Sequence, residues 1–338
     1  MAFKTTDSQA WKPEIDNIID DELALLGDAG LDKLFTVKGT DRLQINEVGI
    51  SGYQPMQMVG ELDDAPEDQP IETYGFSYQR QTYRKMTVFS SDILQTDQIG
   101  IVEQKAKQIA RTAKYTRGLN AYGVFRKAFN ASVVYGDTKP YISTLHPRKD
   151  GAGTQTNTFA DGVQRELGYD NVKLLEDQLY AQVSNVGNIL QIGNATRNKL
   201  LVVPYALREK AFQIAGIEGP DEKPGTADND KNYFRKGARF DVYIPQFLGF
   251  ESAKQAGEIG TATKTANNYW DTMWFIMDSD AVKMYLKFFY ANGYEKYYDK
   301  VREENEAFIK IVHDKYAYGL SGWFGAVGSK GDNSTYSS

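Results

Sequence analysis

The stretch YRKMTVFSSDILQTDQIGIVEQKAKQIARTA, residues 83–113, passes from an extended segment into a long helix. Apolar residues recur along its second half at spacings of four, three and four: Val102, Ala106, Ile109 and Ala113. Residues at this spacing lie on one face of a helix, so the pattern predicts a helix over about 92–129. Because the apolar residues shift position after Gly118, we expect a bend near Gly118 or Gly123, or different partners at the two ends.

A second stripe on the same helix is basic and consists of Lys107, Arg111 and Lys114. Such a stripe is usually a solvated face. It is also a candidate contact with packaged DNA or with an acidic segment of a neighbouring subunit, although three cations on an acidic chain do not make a nucleic-acid site.

The segment before the helix, residues 41–90, is predicted to be an extended β-hairpin loop. Its turn, residues 60–70, contains two prolines, which exclude a regular element. The turn also carries five carboxylates: Glu61, Asp63, Asp64, Glu67 and Asp68. The outgoing arm, Tyr74 to Phe89, is rich in Tyr, Phe, Thr and Val and predicts a strand.

Three cations interrupt that strand, Arg80, Arg84 and Lys85, so neither of its faces is uniformly apolar. A two-stranded ribbon is marginal by itself and must pack on something. It packs either on its own domain or on a neighbouring subunit, and we favour the neighbour. The acidic turn is then a solvated tip or a charged contact with basic residues of that neighbour. It lacks the ligand spacing of a calcium loop, so we expect no metal.

The rest of the chain predicts an α/β region. A helix is expected over 170–182, with Leu174 among its inward residues, followed by a buried strand over 198–204 and a helix over 206–215. Further strands are expected over 240–244 and 270–277, and a long extended segment over 308–318. The mixture predicts the α+β class.

Composition excludes several kinds of chemistry. The 338 residues include no Cys, so no disulfide or thiolate nucleophile exists. The net charge of -6 disfavours a dedicated DNA-binding role. Only His146 and His313 are available as imidazole bases, and no phosphate-binding or nucleophile-elbow motif accompanies them. His146 is expected to form loop hydrogen bonds, while His313 and Asp314 are expected on opposite faces of a strand. We therefore expect that the chain catalyses no reaction and binds no cofactor.

The N-terminal residues 1–40 carry a short amphipathic pattern that predicts an arm lying on another part of the assembly. The sequence has no signal-peptide pattern and no stretch long enough to cross a bilayer, which favours the cytoplasm as the site of assembly and predicts no membrane partner.

Several segments, taken in order, resemble the major capsid proteins of tailed bacteriophages, specifically the Mu-type major head subunits. Residues 83–97 are similar to the passage from the extended loop into the spine helix of that family. The other similar segments are Tyr135–His146, Leu200–Pro204, Arg239–Tyr243, Trp274–Asp278 and Tyr318–Gly325. In the last segment Gly322 and Phe324 replace the usual Asp and Arg of the family. The fold is shared with encapsulin shells and the herpesvirus capsid floor.

The resemblance implies an architecture: an N-terminal arm (1–40), an extended loop (41–90), a peripheral domain (91–164 and 291–338) and an axial domain (165–290). It also implies a function, self-assembly into the hexamers and pentamers of an icosahedral head in the virion, enclosing double-stranded DNA without sequence specificity. Expected partners are further copies, a portal, possible decoration proteins and a separate scaffolding protein, since the arm is short. An encapsulin-like nanocompartment shell is the alternative, and a soluble hydrolase using His146 is a distant one.

Overall fold

The computed structural model describes residues 5–27, 30–52, 55–60, 64–90, 100–190, 192, 199–216, 232, 234, 240–260, 264, 269–302 and 307–336. In that part of the chain the helices are α1 (Thr5–Leu25), α2 (Leu31–Leu34), α3 (Ile101–Ala121), α4 (Gly123–Arg126), α5 (Tyr169–Tyr180), α6 (Arg208–Ala215), α7 (Phe250–Gln255), α8 (Tyr269–Thr272) and α9 (Ser279–Tyr285). The strands are β1 (Thr36–Gly39), β2 (Gln44–Ile50), β3 (Glu72–Gln79), β4 (Gln81–Phe89), β5 (His146–Pro147), β6 (Thr154–Gln155), β7 (Lys199–Val202), β8 (Phe240–Tyr243), β9 (Trp274–Asp278), β10 (Leu286–Arg302), β11 (Ala307–Leu320) and β12 (Ala326–Ser329).

The first of two four-stranded sheets has the order β1-β10-β11-β4. β1 is parallel to β10, and the other neighbours are antiparallel. Because side chains alternate along a strand, one face of β11 points to α3. On that face Phe308 lies opposite Phe89 of β4, and both belong to a buried cluster with Val102 and Ile109 of α3. The predicted long helix therefore covers a sheet with its apolar stripe.

A buried ion pair fixes α3 on this sheet. Arg117 of α3 donates two hydrogen bonds to Asp314 of β11, at 2.6 and 2.7 Å, and its guanidinium lies 4.1 Å from the ring centre of Tyr294. Burial raises the pKa of Asp314, and the hydrogen bonds from Arg117 oppose that rise. His313 precedes Asp314 in β11, and because side chains alternate along a strand it lies on the other face, as predicted.

The second sheet, in the order β12-β9-β7-β8, lies in the main core. All five residues of β9 are buried. Asp278 at its end accepts hydrogen bonds from the backbone N–H groups of Asp280 and Ala281, which caps α9 and explains why the strand turns directly into a helix. Lys199 of β7 is also buried and is neutralised by Glu176 of α5.

Arg126 links this core to the end of α3 and α4. It is almost fully buried and donates hydrogen bonds to both carboxylate oxygens of Glu258, at 2.9 and 3.0 Å, and to the carbonyls of Phe247 and Leu119, both at 2.8 Å. The α+β class is thus confirmed, and the main apolar core includes residues of both four-stranded sheets, among them Phe288 and Phe275.

The structure corrects several sequence predictions. The helix predicted over 92–129 runs from Ile101 to Ala121, with the short α4 beyond it, and residues 91–99 lie outside the described residues. The predicted strand 270–277 is instead helix α8 followed by β9. Leu174 is half-exposed, because only Val172, Leu175 and Leu179 of α5 face the core along with Glu176.

The outgoing arm predicted as one strand from Tyr74 to Phe89 breaks at Arg80 into two strands. β3 pairs with β2, and β4 pairs with β11 in the first sheet. The expectation that this arm packs on a neighbour is wrong for β4, since Phe89 is buried inside its own chain. The N-terminal segment is corrected likewise, because α1 buries Ile15 and Ile19 against α3 of the same chain.

The domain boundaries stay a prediction. The predicted peripheral segment 291–338 contributes β11 and part of β10 to the first sheet, whereas its strand β12 pairs with β9 in the second.

Candidate assembly surface

The hairpin formed by β2, β3 and the loop between them exposes large apolar side chains. Met56 and Met58 are 96% and 103% exposed, and Ile50 is 69% exposed. Further exposed apolar residues on the same hairpin are Leu43, Val48, Val59 and Ile71. Clusters of exposed apolar side chains on one element are typical of interaction sites. We refer to residues 43–79 as the exposed hairpin.

The exposed hairpin is held firmly where it joins the body. Tyr78 of β3 is buried against Phe289 and Ala317 on the face of the first sheet opposite α3. Its hydroxyl donates to Glu47 at 3.2 Å, and Glu47 also pairs with Lys287 of β10. The hairpin therefore projects from a packed base.

A second contact at the base depends on a glycine. A Cβ atom at Gly136 would lie 2.6 Å from the carbonyl oxygen of Gly75 in β3, so only glycine permits this approach. Nearby, the ammonium of Lys149 lies 4.3 Å from the ring centre of Tyr74. Further along, the N–H of Ser51 donates to the carbonyl of Ile71 at 2.8 Å, which closes the ladder.

The acidic turn lies at the far end of the hairpin. Asp64, Glu67 and Asp68 are exposed and lie outside helices and strands. Glu61 and Asp63, the other two predicted contact residues of this turn, lie outside the described residues. Exposed carboxylates without regular backbone structure can rearrange to meet a cationic partner.

The three cations that follow the turn occupy different places. Arg80 is partly buried and donates to the carbonyl of Asp41 at 3.2 Å, at the junction between β3 and β4. Arg84 lies opposite His313 across the β4–β11 pair. Partial burial, and then the charge of Arg84, lower the pKa of His313. Lys85 is exposed at the edge of the sheet.

The basic stripe of α3 has partners within the chain. Lys107 pairs with Glu103 at 2.5 Å, and Arg111 pairs with Glu22 of α1 at 2.7 Å. Lys114 lies 5.9 Å from the ring centre of Tyr294. The pair between Arg111 and Glu22 helps to seat α1 on α3, and a role of the stripe between copies stays a prediction.

The sequence pattern did not identify Met56 and Met58 as exposed apolar residues. The available signal was two methionines in a stretch whose apolar residues follow neither a helical nor a strand period.

His146 is buried, as a loop hydrogen-bonder is expected to be. Its ring nitrogens lie 2.5 Å from Asp137 and 3.2 Å from Asn157, and its ring stacks on Trp323. This cluster ties two loops to the end of β11.

The described residues contain no group of three or more His, Cys, Asp or Glu side chains placed to hold a metal ion. Among the described helices, none combines the length and apolar character required to cross a membrane.

Comparisons with known proteins identify the fold. No protein-family model and no curated protein matches the sequence. Among solved structures, the capsid of an empty GTA particle is similar, with a TM-score of 0.52 and 13% identity over 89% of each chain. The capsid of Cyanophage P-SCSP1u is similar with a TM-score of 0.51 and 10% identity, over 88% of this chain and 86% of that chain. The chain therefore has the α+β fold of the tailed-phage major capsid proteins that its sequence resembles.

Proposed function

We propose that the chain is the major shell subunit of a phage head and that it self-assembles into hexamers and pentamers of an icosahedral capsid. The observation that carries the proposal is the exposed hairpin. Met56 and Met58 are fully exposed on an element whose base is buried. When a second copy covers exposed apolar surface on a projecting element, the burial stabilises the contact by about 25 cal/mol per Å².

The capsid fold supports this proposal, because both similar structures are capsids. A projecting hairpin that contacts a different surface of the next copy makes a heterologous contact, and such contacts close into rings. Many contacts of modest strength then hold a closed shell together. The subunit therefore does not need one strong interface.

The proposed head subunit also has partners other than its own copies. The shell encloses double-stranded DNA without reading its sequence, a separate scaffolding protein guides assembly, and a portal occupies a unique position in the shell. Decoration proteins are possible further partners. Assembly takes place in the host cytoplasm, and the product is the virion. The net charge of -6 fits a wall that encloses DNA without binding it tightly.

An encapsulin-like nanocompartment shares the implied fold, but the similarity to phage and GTA capsids does not favour it. Neighbouring genes for a portal and a DNA-packaging motor distinguish the head subunit from a shell that carries a cargo enzyme. A hydrolase that uses His146 is disfavoured, since both ring nitrogens are engaged and the ring is stacked on Trp323.

Electron microscopy of the overexpressed chain, with and without its neighbouring gene products, tests the proposal. We expect closed shells in at least one of these preparations. A matched variant lacks residues 55–60 and 64–70, including both exposed methionines. It should keep its helical circular dichroism and fail to form stable shells. A deletion variant that forms shells of unchanged stability would contradict the role given to the hairpin.

A further inference from the structure

A groove of about 380 Å³ runs between strand β4 and helix α3. Its size falls in the range of pockets that hold ligands or peptide segments. Six residues give the groove its chemistry: Lys85 and Thr87 from β4, and Gln104, Lys105, Gln108 and Ile109 from α3. Met86 and Ile101 also line it, so with Ile109 the groove has an apolar strip beside its polar and cationic side chains.

The groove is positively charged. Lys85 and Lys105 line it, and no described lining residue is acidic. Lys105 donates to the backbone carbonyl of Val88 at 3.1 Å and lies 5.7 Å from the ring centre of Phe89, so its position is fixed. Neither lysine is ion-paired with a carboxylate among the described residues. This charge is available to a partner.

The backbone of β4 adds a second recognition element. β4 is the last strand in the order β1-β10-β11-β4, so among the described strands it is paired on one side only. The free side of an edge strand offers N–H and C=O groups to an extended peptide. A partner that suits both features is an extended, acidic segment.

The chain itself carries such a segment. Residues 64–68, Asp-Ala-Pro-Glu-Asp, hold three carboxylates in five residues and no cation. Asp64 and Glu67 are exposed, so this segment does not occupy the groove of its own chain. Pro66 keeps the backbone out of a helix, which suits binding in an extended form.

We propose that the groove between β4 and α3 receives the acidic segment 64–68 of a second copy of the chain. This inference rests on the proposed shell function and names the surface that the exposed hairpin contacts. Lys85 and Lys105 bind the carboxylates, and the side-chain amides of Gln104 and Gln108 donate to backbone carbonyls. Each copy supplies one segment and one groove, so the contact propagates from copy to copy.

Cross-linking tests the proposal directly, because the chain contains no Cys. One variant carries Ala65→Cys in the acidic segment, and the other carries Thr87→Cys in the groove, so every charge is kept. When the two are mixed and oxidised, we expect a disulfide-linked heterodimer at least 10-fold faster than with the control Gln255→Cys, an exposed position on α7. Equal rates for Thr87→Cys and Gln255→Cys would overturn the proposal.

A charge exchange identifies the partner independently. Lys85→Glu with Lys105→Glu should reduce the yield of shells at least 10-fold, and adding Asp64→Lys with Glu67→Lys should restore it to within threefold of the parent. The control Lys173→Glu with Lys254→Glu makes the same change of charge on exposed helical lysines and should leave the yield within twofold. Failure of the exchange to restore assembly would assign the groove to a different partner and overturn the proposal.

The two experiments separate failure of this inference from failure of the proposed function. If the parent chain forms shells but neither cross-links nor responds to charge exchange, the groove is wrong and the shell stands. If the parent forms no shells, the rate of cross-linking between free chains still decides whether segment and groove meet.

Discussion

The sheet β12-β9-β7-β8 buries its apolar side chains, whereas the exposed hairpin leaves many of its own in water. β9 buries all five of its residues, including Trp274, whose indole N–H donates to the carbonyl of Arg165 at 3.0 Å. The hairpin leaves Met56 and Met58 in water and buries residues such as Tyr78 only near its base. The body of the chain is thus stable within one copy, whereas the hairpin needs a second copy to cover its apolar surface.

The largest effect is expected inside the body, at two adjacent cations that pair with the same carboxylate. Arg126 is buried, whereas the side chain of Lys127 is 42% exposed, and both contact Glu258. Arg126→Ala removes the buried partner of Glu258, leaves two carbonyls unsatisfied and should lower the free energy of unfolding by about 3–5 kcal/mol. Lys127→Ala should cost less than about 1 kcal/mol. Urea unfolding of both variants measures the difference, and equal losses would show that the pair between Arg126 and Glu258 is not desolvated.

A truncation in each region should have opposite consequences. Leu201→Ala in β7 creates a cavity at a fully buried site and should cost about 2–5 kcal/mol. Met58→Ala should change the unfolding of the unassembled chain by less than about 0.5 kcal/mol, because the side chain is exposed. The same Met58→Ala variant should nevertheless reduce the yield of shells. Normal assembly of Met58→Ala would remove the distinction between the regions.

The base of the hairpin should respond in an intermediate way. Gly136→Ala places a methyl group against the backbone of Gly75 and should cost about 1–3 kcal/mol. Gly52→Ala is the control, since a Cβ atom there meets no atom within 4 Å. Amide hydrogen exchange should accelerate in β2 and β3 of Gly136→Ala alone. Unchanged exchange in these strands would show that the contact at Gly136 does not hold the hairpin.

The smallest expected effect is a pH dependence at His313. Its pKa is lowered by burial and by Arg84, so the unfolded chain binds more protons there than the folded chain does. Stability should therefore rise with pH through the range between the lowered pKa and the ordinary value near 6.5. His313→Gln should flatten the pH dependence of the melting temperature between pH 7.5 and 5.5. An unchanged slope would exclude His313 as its source.

Local sequence pattern predicted the elements whose conformation depends least on the segments they pack against. The spacing of Val102, Ala106 and Ile109 identified α3, and the apolar run at 200–203 identified β7. The sequence pattern did not predict β10 as a single strand, because charged residues interrupt its aromatic residues without a period of two and its pairing with β11 decides its conformation. The capping carboxylate of Asp278 was the available signal for the boundary between β9 and α9.

Tertiary contacts also decided which charges are buried. A sequence pattern places arginine and lysine on the surface by default, since these residues are seldom buried without a partner. Arg117, Arg126 and Lys199 are buried because carboxylates far away in the sequence meet them. The same limit applies to the candidate surface: the acidic turn could be read from composition, but the groove between β4 and α3 needed the fold.

The exposed hairpin is covered only when copies assemble, and methionine oxidation tests this covering within one sample. Met56 and Met58 should be oxidised by peroxide rapidly in the unassembled chain and at least 10-fold more slowly in purified shells. Met273 and Met277, both fully buried, should react slowly in both states and serve as internal controls. Equal oxidation rates of Met56 and Met58 in free chains and in shells would contradict the claim.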